Sequence, residues 1–190
     1  MCRITQQSSP GIDEVIVRRR EKALLQAGWL SLLGRIATIA IAAWLLLTFC
    51  FTFTRYSGQD MYPALKDGDL CVVYRNGLRT LLGERLVKGD IIVYTADGSL
   101  RISRVAAVAG DVVNLTESGS VTVNSVSQSG EILYPTYVRG DLSYPFTVPD
   151  GCVYVLGDYR TDTHDSRDFG PVPLSSVGGK VISILRRRGL

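Results

Sequence analysis

Side chains able to do chemistry gather in three short stretches of this chain. Ser57 and Asp60 lie in Ser57-Gly58-Gln59-Asp60-Met61-Tyr62-Pro63. Ser103 lies between Arg101 and Arg104, and Asp158, Arg160, Thr163, His164, Asp165, Ser166 and Arg167 crowd into the last stretch. A serine hydroxyl is a poor nucleophile until a nearby base takes its proton. Arg101 and Arg104 stay protonated and cannot be that base. His164, the only histidine, sits between Thr163 and Asp165, a setting more typical of a surface residue than of a catalyst. Asp60 and Asp165 could in principle share one proton as a carboxyl pair. No zinc spacing, metal-ligand cluster or nucleotide loop occurs, so neither metal nor cofactor is implied.

The elements that must position these residues follow from patterning. With 46% hydrophobic and 21% charged residues, the composition is that of a folded protein. Ile36 to Phe53 carries no charge, and Trp29 to Gly34 extends the apolar run across Arg35, which can snorkel to an interface. About 20 residues cross a bilayer core as a helix, so residues 29–53 are expected to span a membrane. Before residue 54 stand six basic residues (Arg3, Arg18, Arg19, Arg20, Lys22, Arg35) against three acidic ones, Asp13, Glu14 and Glu21. The remainder is balanced, which argues for a cytoplasmic residue 1–28 segment and an outer domain over 54–190, and against a nucleic-acid surface. The closing Arg186-Arg187-Arg188 reads as a solvated tail.

Beyond the span, short β-rich runs are expected at 70–74, 90–94, 100–108, 112–115, 121–123, 153–156 and 181–185. Gly-Asp pairs punctuate them at 68–69, 89–90, 110–111, 140–141 and 157–158. Residues 75–89, with Leu78, Leu81, Leu82, Leu86 and Val87, read as a loop with apolar tips. Of the four cysteines, Cys2 falls in the N-terminal segment and Cys50 in the span. Cys71 and Cys152 share the outer compartment, where a disulfide or two buried thiols are both open.

Four segments of this chain resemble, in order, those of the type I signal peptidases of family S26. They are the apolar anchor; Ser57 to Leu65 running into Gly68-Asp69; Gly89 to Tyr94 with Arg101-Ile102-Ser103-Arg104-Val105 and Gly110-Asp111; and Val148 to Gly151 with Gly157-Asp158-Tyr159-Arg160, Asp165-Ser166-Arg167, Gly170 and Gly179-Lys180. The resemblance implies a mainly β signal-peptidase-like domain with a small accessory β-region (about 114–150), preceded by one transmembrane helix. In that family a serine attacks the peptide with a lysine as base. Asp60 stands at the serine position and Ser103 at the lysine position, so neither half of the dyad is present and no catalytic residue is expected. Ala64 and Ala109 are milder departures. Gly58, Gln59, Asp60, Met61, Tyr62 and Pro63 would line the substrate groove. Arg104, Asp158, Arg160, Thr163, Asp165 and Arg167 would form a structural network beneath it.

The same substitution makes the chain similar to the signal-peptidase-like proteins that assist sortase-dependent pilus assembly in Gram-positive bacteria. The implied partners are the membrane, a precursor pilin or signal peptide, and sortase, with no nucleic acid. Two alternatives stand beside this reading: an active type I signal peptidase, and a membrane scaffold that binds no peptide.

Overall fold

A computed structural model describes residues 12–128, 134–161 and 163–186. The chain divides into two compact units, residues 1–47 and 48–190. Cys2, Arg187 and Arg188 lie outside the described residues.

One helix, α1 (Ile12–Cys50), contains the apolar run. Its Gly28–Cys50 portion has a mean hydropathy of 2.0 and is long and apolar enough to cross a membrane. Trp29, Ile36, Ile39, Trp44 and Phe49 are all exposed, as a lipid-facing helix requires. The helix ends three residues earlier than expected. Phe51-Thr52-Phe53-Thr54 alternates aromatic and β-branched residues, a strand pattern, and forms β1 (Phe51–Arg55). Strand β1 pairs antiparallel with β2 (Leu70–Arg75), and the rings of Phe51 and Tyr74 meet with centroids 5.8 Å apart.

The second expectation to fail is the loop at 75–89. Asn76–Leu81 form a short helix, α2, which Arg79 ties down by donating to Asn76 Oδ1 and to the Glu84 carbonyl. Leu81 and Leu82 are exposed as an apolar tip, but Leu86 is buried in the core.

Strands β3 (Ile91–Ala96) and β4 (Ser99–Val108) form a hairpin around Asp97-Gly98, both residues at positive φ. Then follow β5 (Val112–Leu115), β6 (Val121–Val123), β7 (Val126–Ser127), β8 (Phe146–Thr147), β9 (Cys152–Leu156), α3 (Ser166–Phe169), β10 (Val172–Pro173) and β11 (Val177–Leu185). The large sheet runs β1-β2-β11-β3-β4-β9-β10, and the small one β7-β6-β5-β8. The small sheet starts two residues before the accessory region expected from sequence.

Each face of the large sheet has its own core. Ile92, Tyr94, Val105, Val153, Val155, Val172 and Val177 pack on one side. Tyr56, Met61, Leu65, Cys71, Val73, Val93 and Ile102 form another cluster. A register shift between Val105 and Ala107 lets Ala106 and Ala107 both join a third cluster with Val113, Val121, Val123 and Tyr154, so the bulge welds the small sheet to the large one. At Gly179 any Cβ would strike the Tyr74 carbonyl and lie 2.7 Å from Val73 Cγ1, so only glycine lets β11 close on β2.

Cys50, Cys71 and Cys152 are free thiols. Four strand steps separate β2 from β9, about 19 Å at the usual spacing, whereas a disulfide needs Cα atoms within about 7 Å. The Cys71–Cys152 bridge is therefore ruled out by sheet order.

Candidate functional site

Residues 56–65 form a tight loop after β1, built around Tyr56. This ring is buried, and its hydroxyl accepts a hydrogen bond from the Met61 amide at 2.9 Å. Burial raises the Tyr56 pKa to about 12. Gly58, at φ +121°, donates to Asp67 Oδ1, and Leu65 N donates to the Met61 carbonyl. Met61 and Leu65 are fully buried in the core. Met61 is thus a core residue and not a groove residue; the helical i→i+4 bond turns its side chain inward. Gln59 and Tyr62 are exposed, while Asp60 is half-buried.

A cavity of about 310 Å³ opens beside Asp60, lined also by Arg55, Tyr56, Ser57, Ser99, Arg101 and Ile102. Pro63 lines a different, larger cleft. The six expected groove residues are therefore divided among core, cavity, cleft and solvent.

Ser103 is buried in β4 opposite Ile92, and its Oγ lies 3.0 Å from the hydroxyl of Tyr94. Tyr94 is the residue that sequence reasoning missed at this point. Its pKa is pushed up to about 12, chiefly by burial, and the Ser103 hydrogen bond opposes the rise. The charges of Asp165, Arg101 and Asp60 are also felt at this phenol, which places it among all three stretches singled out from sequence. The signal was available: Asp97-Gly98 is a two-residue hairpin turn, which fixes the register and sets Tyr94 and Ser103 on one face. Nearby, Arg101 Nε is buried with no hydrogen-bond partner among the described residues.

Chemically, the Tyr94–Ser103 pair supplies no base near neutral pH. Neither the Tyr94 phenol nor the Ser103 hydroxyl takes up a proton near neutral pH. Lys88 pairs with Asp111 at 3.0 Å and Lys180 with Asp90 at 2.9 Å; neither lines the Asp60 cavity.

The loop at 157–167 is tied to this site by its backbone. Tyr159 N donates to the Asp60 carbonyl at 2.9 Å. A Cβ on Gly157 would collide with the Thr163 methyl and lie 2.8 Å from Asp60 O. Asp165, fully buried, accepts from Gly157 N, from Thr163 Oγ1 at 2.8 Å and from Arg167 Nε and Nη2 at 2.9 Å each. It is also the N-cap of α3, in a capping box with Asp168. Arg167 Nη2 additionally donates to the Arg160 carbonyl and to Thr163 Oγ1.

The six network residues form separate clusters. Arg104 forks onto Asp158 at 2.8 and 2.6 Å and reaches the Gly89 carbonyl, apart from the Asp165–Arg167 pair. The Arg160 guanidinium turns to Thr136 Oγ1 and Gln128 Oε1. Burial lowers its pKa to about 10. His164 is exposed and lies 3.3 Å from Asp97 and 3.4 Å from Asp168, away from the cavity lining. Arg186, expected in a solvated tail, instead donates to the Ala64 carbonyl and approaches Asp69 at 3.5 Å. Among the described residues, no group of three or more His, Cys, Asp or Glu could hold a metal ion.

Comparison with known proteins gives these features a family. The profile described as "Signal peptidase, peptidase S26" matches residues 29–185. The mitochondrial ATP-independent inner membrane protease subunit 1b of Arabidopsis thaliana is 47% identical over 45 residues, covering 24% of this chain and 27% of that protein. Signal peptidase I of Bacillus caldolyticus is 53% identical over 34 residues, covering 18% and 19% respectively. The matches thus span about a quarter or less of those relatives. A crystal structure of a signal peptidase I from Enterococcus faecalis aligns with 27% identity and a TM-score of 0.42, covering 53% of this chain and 98% of that one. With the family profile matched from the apolar helix to β11, the chain belongs to the signal peptidase family, peptidase S26.

Proposed function

We propose that this protein is a membrane-anchored, signal-peptidase-like accessory factor that holds an extended peptide without cutting it. The peptide is a precursor pilin or a signal peptide, and the setting is sortase-dependent pilus assembly. The observation that carries this reading is the pair of residues at the dyad positions, Asp60 and Ser103. A carboxylate beside a developing oxyanion repels the charge that catalysis must stabilise. The Ser103 hydroxyl, engaged by the Tyr94 phenol, cannot replace a lysine base. Recognition of an extended peptide needs a groove and backbone partners, neither of which depends on the dyad. The basic residues Arg18, Arg19, Arg20 and Lys22, ahead of the apolar part of α1, favour an N-terminus in the cytoplasm and residues 54–190 outside, so a reporter fused after Leu190 should be active only outside the cytoplasm. The names of the relatives keep one competing reading in view, an active type I signal peptidase that works with groups other than the serine–lysine dyad.

The direct test incubates the detergent-solubilised chain, carrying a photo-crosslinker at position 59, with a preprotein. The expected outcome is a crosslinked, intact preprotein by mass spectrometry. A specific cut after a small residue, abolished by changing Asp60, overturns the proposal. In the same assay Asp60→Ser alone and Ser103→Lys alone should be inactive. The double variant should regain weak cleavage, because nucleophile and base act as a unit.

A further inference from the structure

A concavity larger than the one beside Asp60 lies elsewhere in residues 48–190. A cleft of about 890 Å³ opens between β4 and the β6–β7 edge of the small sheet. It shares no lining residue with the Asp60 cavity. Its walls are apolar at Val105, Ala106, Val123 and Val126, and Arg160 stands among them.

Arg160 is only 4% exposed. Two of its nitrogens donate to neutral acceptors, Thr136 Oγ1 at 3.0 Å and Gln128 Oε1 at 3.2 Å. Its Nε has no hydrogen-bond acceptor among the described residues. The other cleft charges are answered: Arg104 and Asp158 are joined by two hydrogen bonds, and Lys88 pairs with Asp111. Arg160 is thus a buried cation with a spare donor and no carboxylate bonded to it among the described residues. Buried charges are normally paired, and guanidinium matches carboxylate best. Strand β7 lies at the edge of its sheet, and Val126 is 69% exposed there. Such an edge accepts an added extended strand.

We infer that this cleft is a second peptide-binding site, which takes an extended segment along β7 and reads one internal acidic side chain with Arg160. The site needs no dyad and does not depend on the fate of a peptide at Asp60.

The test uses the full chain in detergent and fluorescence anisotropy with a labelled, end-blocked pentapeptide, Ala-Val-Glu-Val-Ala, beside its Gln counterpart. The Glu peptide is expected to bind at least tenfold more tightly, the size of one charge-assisted hydrogen bond. Val126→Asp, at an exposed position that leaves the core intact, is expected to weaken the Glu peptide at least tenfold. It should leave crosslinking at position 59 unchanged, which separates this site from the Asp60 groove. Equal binding of the two peptides, no binding of the Glu peptide, or binding indifferent to Val126→Asp overturns the inference. So does binding of a Gln peptide with a free C-terminal carboxylate in preference to the end-blocked Glu peptide.

Discussion

Asp165 and Asp60 belong to loops joined by the Tyr159–Asp60 backbone hydrogen bond, yet their surroundings are opposite. Asp165 is sealed from solvent, and both its oxygens are taken up by Gly157, Thr163 and Arg167. Asp60 is half-buried at an open cavity beside Arg101, whose Nε is unanswered among the described residues. The Asp165 carboxylate holds its loop together, whereas Asp60 forms part of a cavity wall. The difference teaches that two joined loops can divide their work, one aspartate fixing the loop and the other lining a cavity.

The sharpest way to break that comparison is to remove the sealed carboxylate. Asp165→Ala leaves Arg167 buried without its counter-ion and should cost about 3–5 kcal/mol in chemical denaturation followed by circular dichroism. A loss under about 1 kcal/mol would show that the network is not what holds the loop. Gly157→Ala comes next, at about 1–3 kcal/mol, because its methyl strikes Thr163 and the Asp60 carbonyl. Adding Thr163→Ser, which deletes the colliding methyl, should recover part of that loss; no recovery would place the strain elsewhere.

Tyr94→Phe should cost about 1 kcal/mol, since it leaves the buried Ser103 hydroxyl without its phenol partner. A double-mutant cycle with Ser103→Ala isolates the pair, and a coupling of zero would dissolve it. The same phenol gives a pH signature. Tyr94 and Tyr56 hold their protons to about pH 12 in the fold, whereas an unfolded tyrosine ionises near pH 10. The folded state therefore binds more protons between those limits, and stability should fall as pH rises from about 10 to about 12. A denaturation series over that window checks the sign, and Tyr94→Phe should flatten it. The smallest effect belongs to Asp158→Asn, about 0.5–1 kcal/mol, because the Arg104 side chain is one-third exposed.

Much of this frame was legible in the chain. Gly-Asp turns and β-branched runs located β2, β5, β6 and β9 closely, because local patterning sets those strands. The end of α1 was not, since Phe51 and Phe53 serve equally as the end of an apolar span or as one face of β1. Their pairing with β2 decides between the two, and that contact is tertiary. Met61 failed as a groove residue for a similar reason. Motif position says that it neighbours Asp60, whereas the turn that buries it depends on the Tyr56 hydroxyl. Tyr94 was readable from hairpin register alone. The turn of Arg160 toward Thr136 and Gln128 was not, because no local pattern announces a side chain that reaches another sheet.

Sheet order carries a consequence for how this domain comes into being. Strands β2 and β3 are not neighbours; β11 lies between them and pairs with both. A ribosome delivers β2 and β3 early and β11 after every other described strand, so two inner edges stay unpaired for most of synthesis. Such edges are sticky, and closing them requires contacts between residues far apart in sequence, a slow step. The large sheet therefore cannot be completed until β11 has been made, and its two halves meet only then.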